Sequence, residues 1–529
     1  MSQFQRRGCV LMLGALMLFG TMQAANGQER RWPEETNATD AGKPDGNKPD
    51  AKPEAVPPEK SSVTHHDLDL DGKMLHYTAT AGTLLIRDGE DDHPYGSIFY
   101  VAYTLDGADA NTRPLTFLYN GGPGSATIWL HMGSVGPVRV VTDSPKATGP
   151  APYQIVPNQY SLLDKSDLVF IDAPLTGFSR AVGKGTAKDF TGVDQDLHAF
   201  DKFILRYVTV NQRWNSSKYL FGESYGTTRS AGLSAMLQND GISLNGIVLL
   251  SSILNYNVSA PGLDVEYVGN LPSYAAIAWY YNKIQNKPAD LKAYLKEVRA
   301  FARGDYAEAL SEGDGIAPEH LDAIAAKVAQ YTGLSVQYVK ESNLRINATR
   351  FRKELLRDEG DILGRYDARF EGTDTDNAGE FPGYDPSDTG ITGAFVAAFH
   401  DYLQRELKYD TTEEYRPSAN SIGEWDWHHR AAGGRGFGGQ QTSPYVAGDL
   451  ADAMRKNPKL KVFSANGLFD LATPFFLTEQ DLNHMMLSPE LRKNVEFGYY
   501  PSGHMVYLNV DALKELKHDV AGFYTETGH

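Results

Sequence analysis

The sequence predicts an α/β fold with a mostly parallel central sheet, N-terminal antiparallel strands and a mainly helical cap insertion. Three observations carry that prediction. Short apolar strands alternate with helical periodicity from Pro114 to about residue 259. Between about Ala260 and Ala451 only helical signals appear, and strand–helix alternation resumes at Leu460. Strands alternating with helices call for a parallel sheet covered on both faces. A helical block set between two pieces of one sheet reads as a cap over the sheet's edge.

The chain is expected to begin with a signal peptide at 1–27. Arg6 and Arg7 precede a short apolar run at 9–19, and Ala25-Asn26-Gly27 fits the small-x-small cleavage rule. The rival is an uncleaved N-terminal anchor, for which the apolar run is short. Cys9 follows Arg6-Arg7-Gly8, which is no lipobox, and it is the only cysteine. The mature chain is then periplasmic or secreted, has no disulfide and offers no thiol chemistry. Residues 28–62 are rich in Pro, Lys, Asp and Glu with almost no apolar side chains, the composition of a disordered spacer. The four Asn-x-Ser/Thr sites matter only in a glycosylating host, and disulfide-free export looks bacterial.

The first part of the core, 63–259, opens with predicted strands at 75–80, 83–87 and 97–105. Strands at 115–119, 167–171, 218–221 and 246–250 follow, with helices over 193–208 and 228–237. In the cap, 260–451, helices are expected at 275–281, 291–301, 318–331 and 394–407. The second part of the core, 452–529, carries strands at 460–465 and 495–500. At 529 residues with net charge −17, the chain can bury a large core but suits no nucleic-acid partner.

The strongest local motif is Gly222-Glu223-Ser224-Tyr225-Gly226, between a predicted strand and a predicted helix. A G-x-S-x-G turn there exposes a serine above the sheet at a helix N-terminus. A serine nucleophile needs a base and an orienting acid, which in this arrangement follow in the order Ser, Asp, His. Asp470 follows one late strand and His504 follows the next, so Ser224, Asp470 and His504 form the candidate catalytic triad. Asn120-Gly121-Gly122-Pro123-Gly124-Ser125 also follows a strand. Its bare amides suit an anion, making Gly122 and Tyr225 the candidate oxyanion-hole donors.

These stretches, with Gly136-Pro137, Asp172-Ala173-Pro174, Gly177-Phe178-Ser179 and Gly503-His504-Met505-Val506, resemble the serine carboxypeptidase family. The resemblance implies an α/β-hydrolase fold that releases single residues from peptide C-termini without metal or cofactor. It also implies that Asn120 and Glu223 bind the substrate's terminal carboxylate. Two positions depart from the family pattern: Ser134 stands where a second glutamate is usual, and Leu118 where a tryptophan is usual. Esterase, acyltransferase or aminopeptidase action on the same triad therefore stays open, as does a catalytically silent binding protein. The substrate is a peptide or a small ester or amide. A glutamate binds a carboxylate only when protonated, and Ser134 removes a like-charge neighbour that would raise the pKa of Glu223. Weaker dependence on acidic pH than in the relatives is expected, and a profile collapsing above pH ~5 would contradict it.

Other signals are set aside. Asp374-Thr375-Asp376-Asn377-Ala378-Gly379 begins like a calcium loop, but Ala378 and Asp385 replace ligands at the fifth and twelfth places. The pairs His65-His66 and His428-His429 cannot share a helix face as metal ligands and read as surface residues. The glycine-rich segment 433–439 lacks a strand–helix setting and reads as a flexible loop.

Overall fold

The computed structural model describes residues 56–419, 424–432 and 439–527. The expected signal peptide, residues 28–55 of the spacer and residues 433–438 of the glycine-rich segment lie outside them.

Nine strands form the main path of one mixed sheet: β1 (Ser61–Leu70), β2 (Lys73–Asp88), β3 (His93–Leu105), β4 (Leu115–Tyr119), β5 (Asp167–Ile171), β6 (Lys218–Ser224), β7 (Gly246–Ser252), β8 (Lys461–Gly467) and β9 (Val495–Tyr500). Their order is β1-β2-β3-β5-β4-β6-β7-β8-β9, with the two-residue strand Arg180–Ala181 pairing off β3. The pairings β1–β2, β2–β3 and β3–β5 are antiparallel. Every pairing from β5 through β4, β6, β7 and β8 to β9 is parallel. This is the α/β-hydrolase arrangement.

The sheet separates two cores because side chains alternate along each strand. Leu118, Phe221, Val248 and Phe463 enter one cluster, while Phe117, Leu220, Ile247 and Val462 enter the other. On the first face lie α1 (Ile128–Gly133), α7 (Thr392–Arg405) and α10 (Val510–Thr527). On the second lie α2 (Val193–Val210), α3 (Tyr225–Asn239) and α8 (Ala447–Lys456). Burying one side chain such as Phe117 contributes about 1.5–3 kcal/mol. Three helices, α4 (Val265–Tyr280), α5 (Leu291–Phe301) and α6 (Pro318–Thr332), make a third cluster with Phe469, Phe475 and Phe476. The last two sit on α9 (Phe475–Asn483), so this helical layer packs on the segment that carries Asp470.

Several elements depart from the sequence reading. The predicted strands at 75–80 and 83–87 are one 16-residue strand, β2. Its partner β1 was not predicted and takes Ser61 and Ser62 from the expected spacer. The residues before it are also tied down, since Glu59 accepts from the Leu85 amide and pairs with Arg206. Helix α4 starts ten residues before the predicted 275, because Gly269 and Pro272 read as breakers but sit within a buried helix.

His429 corrects the surface reading of the histidine pair: it is 2% exposed and held between Asp194 (2.7 Å) and Asp449 (2.9 Å). Burial alone would lower its pKa, but the two carboxylates outweigh that and lift it to about 9. Residues 374–379 are organised around a charge from the chain itself. The enclosed Lys353 ammonium donates to Asp374 Oδ2 (2.5 Å) and to the Asp376 carbonyl. Asp374 Oδ1 meanwhile accepts from the Thr375 and Gly383 amides.

Candidate active site

Strands β4 and β6 are neighbours, with Tyr119 opposite Gly222, so the loops after them emerge side by side. From that point α1 leaves on one face of the sheet and α3 on the other, at the strand C-termini where open α/β sheets place their ligands. Ser224 closes β6 with φ 60° and ψ −129°, a conformation that costs a non-glycine residue about 1–3 kcal/mol. The turn is built on close backbone approach. A Cβ at Gly222 would lie 2.1 Å from the Gly226 carbonyl oxygen, and one at Gly226 2.7 Å from that of Tyr119. Tyr225 is the first residue of α3, so its N–H has no acceptor within the helix.

The loop from Asn120 to Ser125 lies directly on this turn. A Cβ at Gly121 would come 2.3 Å from the Tyr225 nitrogen, and Gly122 has φ 109°. Asn120 is 3% exposed and its Oδ1 accepts from the Leu130 amide (2.9 Å), which joins the loop to α1. The Asn120 carbonyl accepts from Arg229 (2.8 Å), a fully buried α3 side chain bound through two nitrogens to Asp196. The Arg229 guanidinium also lies 4.0 Å from the Phe200 ring centre.

Asp470 and His504 come together in the loops after β8 and β9. Asp470 is fully buried, and its Oδ1 accepts from the Ala472 (2.7 Å) and Thr473 (3.0 Å) amides. Its Oδ2 lies 2.6 Å from the Thr473 hydroxyl and 2.8 Å from His504 Nδ1. The backbone of His504 is fixed at both ends, by the Tyr366 carbonyl (2.6 Å) and the Ser251 hydroxyl (2.6 Å). Burial opposes the charged ring, but Asp470 outweighs burial and His504 sits above its ordinary pKa. Among the described residues no hydrogen bond joins Ser224 to His504. Such bonds are often long without substrate.

Glu223 is 2% exposed beside the turn, and burial lifts its carboxyl to about 7. Burial thus replaces the like-charge repulsion that Ser134 removes. Ser134 is itself enclosed, with its hydroxyl donating to the Leu130 carbonyl. Leu118 is core on β4.

Four residues of the site escaped the sequence reading. Thr473 could have been found three places after Asp470, and Tyr507 three after His504. Arg229 follows Ser224 by five residues but reads as a surface residue on a polar-rich helix. Tyr366 has no local signal, since it reaches His504 only through the fold.

Comparison with known proteins agrees with this geometry. The family model described as serine carboxypeptidase matches residues 81–287, which hold the loop at Asn120 and the turn at Ser224. The pheromone-processing carboxypeptidase KEX1 of Yarrowia lipolytica is 26% identical over 200 residues, covering 37% of this chain and 30% of that protein. Serine carboxypeptidase-like 33 of Arabidopsis thaliana is 24% identical over 176 residues, covering 32% of this chain and 34% of that one. The matched segments thus span about a third of these relatives. The crystal structure of a prohormone-processing carboxypeptidase from Saccharomyces cerevisiae superposes with a TM-score of 0.50 at 17% identity. It covers 85% of this chain and 91% of that one, a likeness of fold. The chain is therefore similar to the serine carboxypeptidase family over residues 81–287 and shares its fold with a carboxypeptidase of known structure.

Proposed function

We propose that the protein is an exported serine carboxypeptidase that releases C-terminal residues from peptides through an acyl-enzyme. The observation that carries the proposal is the pairing of His504 with a fully buried Asp470 beside a strained serine whose neighbour Glu223 is an elevated-pKa carboxyl. In this reading Asp470 holds the tautomer with hydrogen on Nδ1, leaving His504 Nε2 free to take the Ser224 proton. Ser224 Oγ attacks the scissile carbonyl, and the amides of Gly122 and Tyr225 receive the developing oxyanion. His504 returns the proton to the leaving amine, and water then repeats the sequence to free the acid. Asn120 and neutral Glu223 hold the terminal carboxylate. Export rests on the basic, apolar and small-residue pattern at 1–27. Among the described residues no helix is long and apolar enough to cross a membrane.

The test compares N-blocked dipeptides that have a free C-terminal carboxylate with their C-terminal amides. The acids are expected to be cleaved and the amides not, with all turnover lost in Ser224→Ala. Turnover of neither, with Ser224 still labelled by a fluorophosphonate, would leave a serine hydrolase that is not a carboxypeptidase.

A pH dependence follows from Glu223. Protonated, it donates to the substrate carboxylate; ionised, it repels it. Binding is therefore intact below a pH of about 7 and lost as pH rises through that value. KM for a free-acid peptide is expected to rise ~10-fold per pH unit above the midpoint, and in Glu223→Gln that rise should disappear. A KM that is flat from pH 5 to 9 in the unmodified enzyme would remove Glu223 from the site.

A further inference from the structure

Asp470 and His504 sit on loops from adjacent strands, and their contact requires both loops to be held in one place. Backbone bonds join the two loops to each other as far as Phe469, whose amide donates to the Ser502 carbonyl (3.0 Å). Beyond that point both turn to a third segment, the loop 364–370, which connects the short antiparallel strands Asp361–Leu363 and Glu371–Thr373.

This loop holds the chain on both sides of Asp470. The Phe469 carbonyl accepts from the Ala368 amide (3.0 Å), and the Leu471 amide donates to the Arg365 carbonyl (3.1 Å). It also takes the His504 amide, on the Tyr366 carbonyl, and the Tyr366 ring centre lies 5.3 Å from that of His504. Gly503 rests directly on it, since a Cβ there would come 2.4 Å from Asp367 Cβ. The loop is itself anchored, because the Arg365 amide donates to Asp385 (3.0 Å) and the Tyr366 amide to the Ser387 hydroxyl (3.1 Å).

One side chain adds to these backbone ties. Arg369 is 8% exposed and gripped by Asp367, whose Oδ1 accepts from Nε (2.9 Å) and whose Oδ2 accepts from Nη2 (2.6 Å). The same guanidinium reaches across to the His504 loop. Its Nη1 donates to the Pro501 carbonyl (3.2 Å) and its Nη2 to the Ser502 hydroxyl (3.2 Å). A planar fork bound through two nitrogens has a set orientation, so the groups it reaches are set as well.

We propose that Arg369 is a positioning residue of the Asp470–His504 pair: gripped by Asp367, it holds Pro501 and Ser502 against the loop 364–370, so that His504 meets Asp470 in the geometry that proton transfer needs. The inference deepens the mechanism proposed above and rests on its triad. Arg369 acts through the backbone just before His504.

The test is Arg369→Lys, which keeps a cation beside Asp367 but has no fork to reach Pro501 and Ser502 as well. The readout is the rate of Ser224 labelling by a fluorophosphonate from pH 4.5 to 9, per titrated active site, which needs no carboxylate recognition. The rate is expected to fall ~10–100-fold, as for a catalytic group misplaced by about 1 Å. The midpoint of its rise with pH should also move to lower pH. Burial opposes the charged ring, but Asp470 outweighs it and holds His504 above its ordinary pKa, so a looser contact lets the proton leave sooner. Glu223 also raises the ring's pKa and Arg365 lowers it. Ser502→Ala removes one acceptor of the fork and should shift rate and midpoint in the same directions by a smaller step; it decides the matter if Arg369→Lys does not fold. A rate within twofold of the unmodified enzyme, or slower labelling with an unmoved midpoint, would confine Arg369 to its own loop and overturn the proposal. If the unmodified enzyme is not labelled, or Ser224→Ala is labelled equally fast, the triad reading fails first, and that result is visible before Arg369 is changed.

Discussion

Asp470→Asn is expected to lower kcat by ~10³–10⁴-fold while leaving folding and KM close to those of the unmodified enzyme. The geometry makes the outcome specific. Oδ1 already accepts from two backbone amides, Ala472 and Thr473, so an asparagine places its carbonyl there. Its NH2 then points at the Thr473 hydroxyl and at His504 Nδ1, in place of Oδ2. Thr473 can turn to accept, so stability is largely kept. His504 cannot adapt without cost to the reaction. Its Nδ1 must accept, its hydrogen moves to Nε2, and the ring can no longer receive a proton from Ser224. Single-turnover kinetics with an activated ester would check this, and a loss below tenfold would mean that Asp470 does not set the tautomer. The enclosure that makes the residue decisive also makes it irreplaceable, since water cannot reach the ring nitrogen to substitute.

The largest effect on stability is expected at Arg229→Met. The substitution keeps an apolar stem over the Phe200 ring but leaves the Asp196 carboxylate without its partner in the interior. Breaking one side of a buried pair costs about 3–5 kcal/mol, because the remaining charge has no water to replace its partner. It also releases the Asn120 carbonyl, which Arg229 holds at 2.8 Å. The loop that carries Gly122 then loses an anchor from beneath, and kcat is expected to fall along with the midpoint of thermal unfolding. Adding Asp196→Leu should restore most of the stability, because the uncompensated charge is gone, but not the rate, because the anchor is still missing. Denaturant unfolding of the single and double variants checks the first part, and kcat of the double variant checks the second. Equal recovery of stability and rate would show that Arg229 serves the fold alone.

Much of the fold was legible because it is written in local pattern. Short apolar strands bounded by turns gave β4 to β9, and the turn at Ser224 could be read from five adjacent residues. The elements that escaped depend on distant partners. β1 is a polar strand with alternating exposure, and nothing in its own composition outweighs the spacer before it; pairing with β2 makes it a strand. Pro272 lies inside α4 because buried neighbours such as Leu271 and Ala275 outweigh its missing N–H. At the site, motif spacing could indicate Ser224, Asp470 and His504, whereas Tyr366 reaches His504 from 138 places earlier in the chain. His429 was misread for the same reason, since Asp194 and Asp449 lie on helices far apart in sequence.

The segment closed around Lys353 carries its own cation, which bears on how its stability answers to the medium. Its central positive charge is tethered to the backbone, so its local concentration is fixed by geometry and cannot be diluted. A loop that borrows a free ion shares its stability with the surrounding medium, through the logarithm of ion concentration over the dissociation constant. Here the central cation is a side chain of the protein. The turn between Asp374 and Gly383 is instead held by groups of the chain itself.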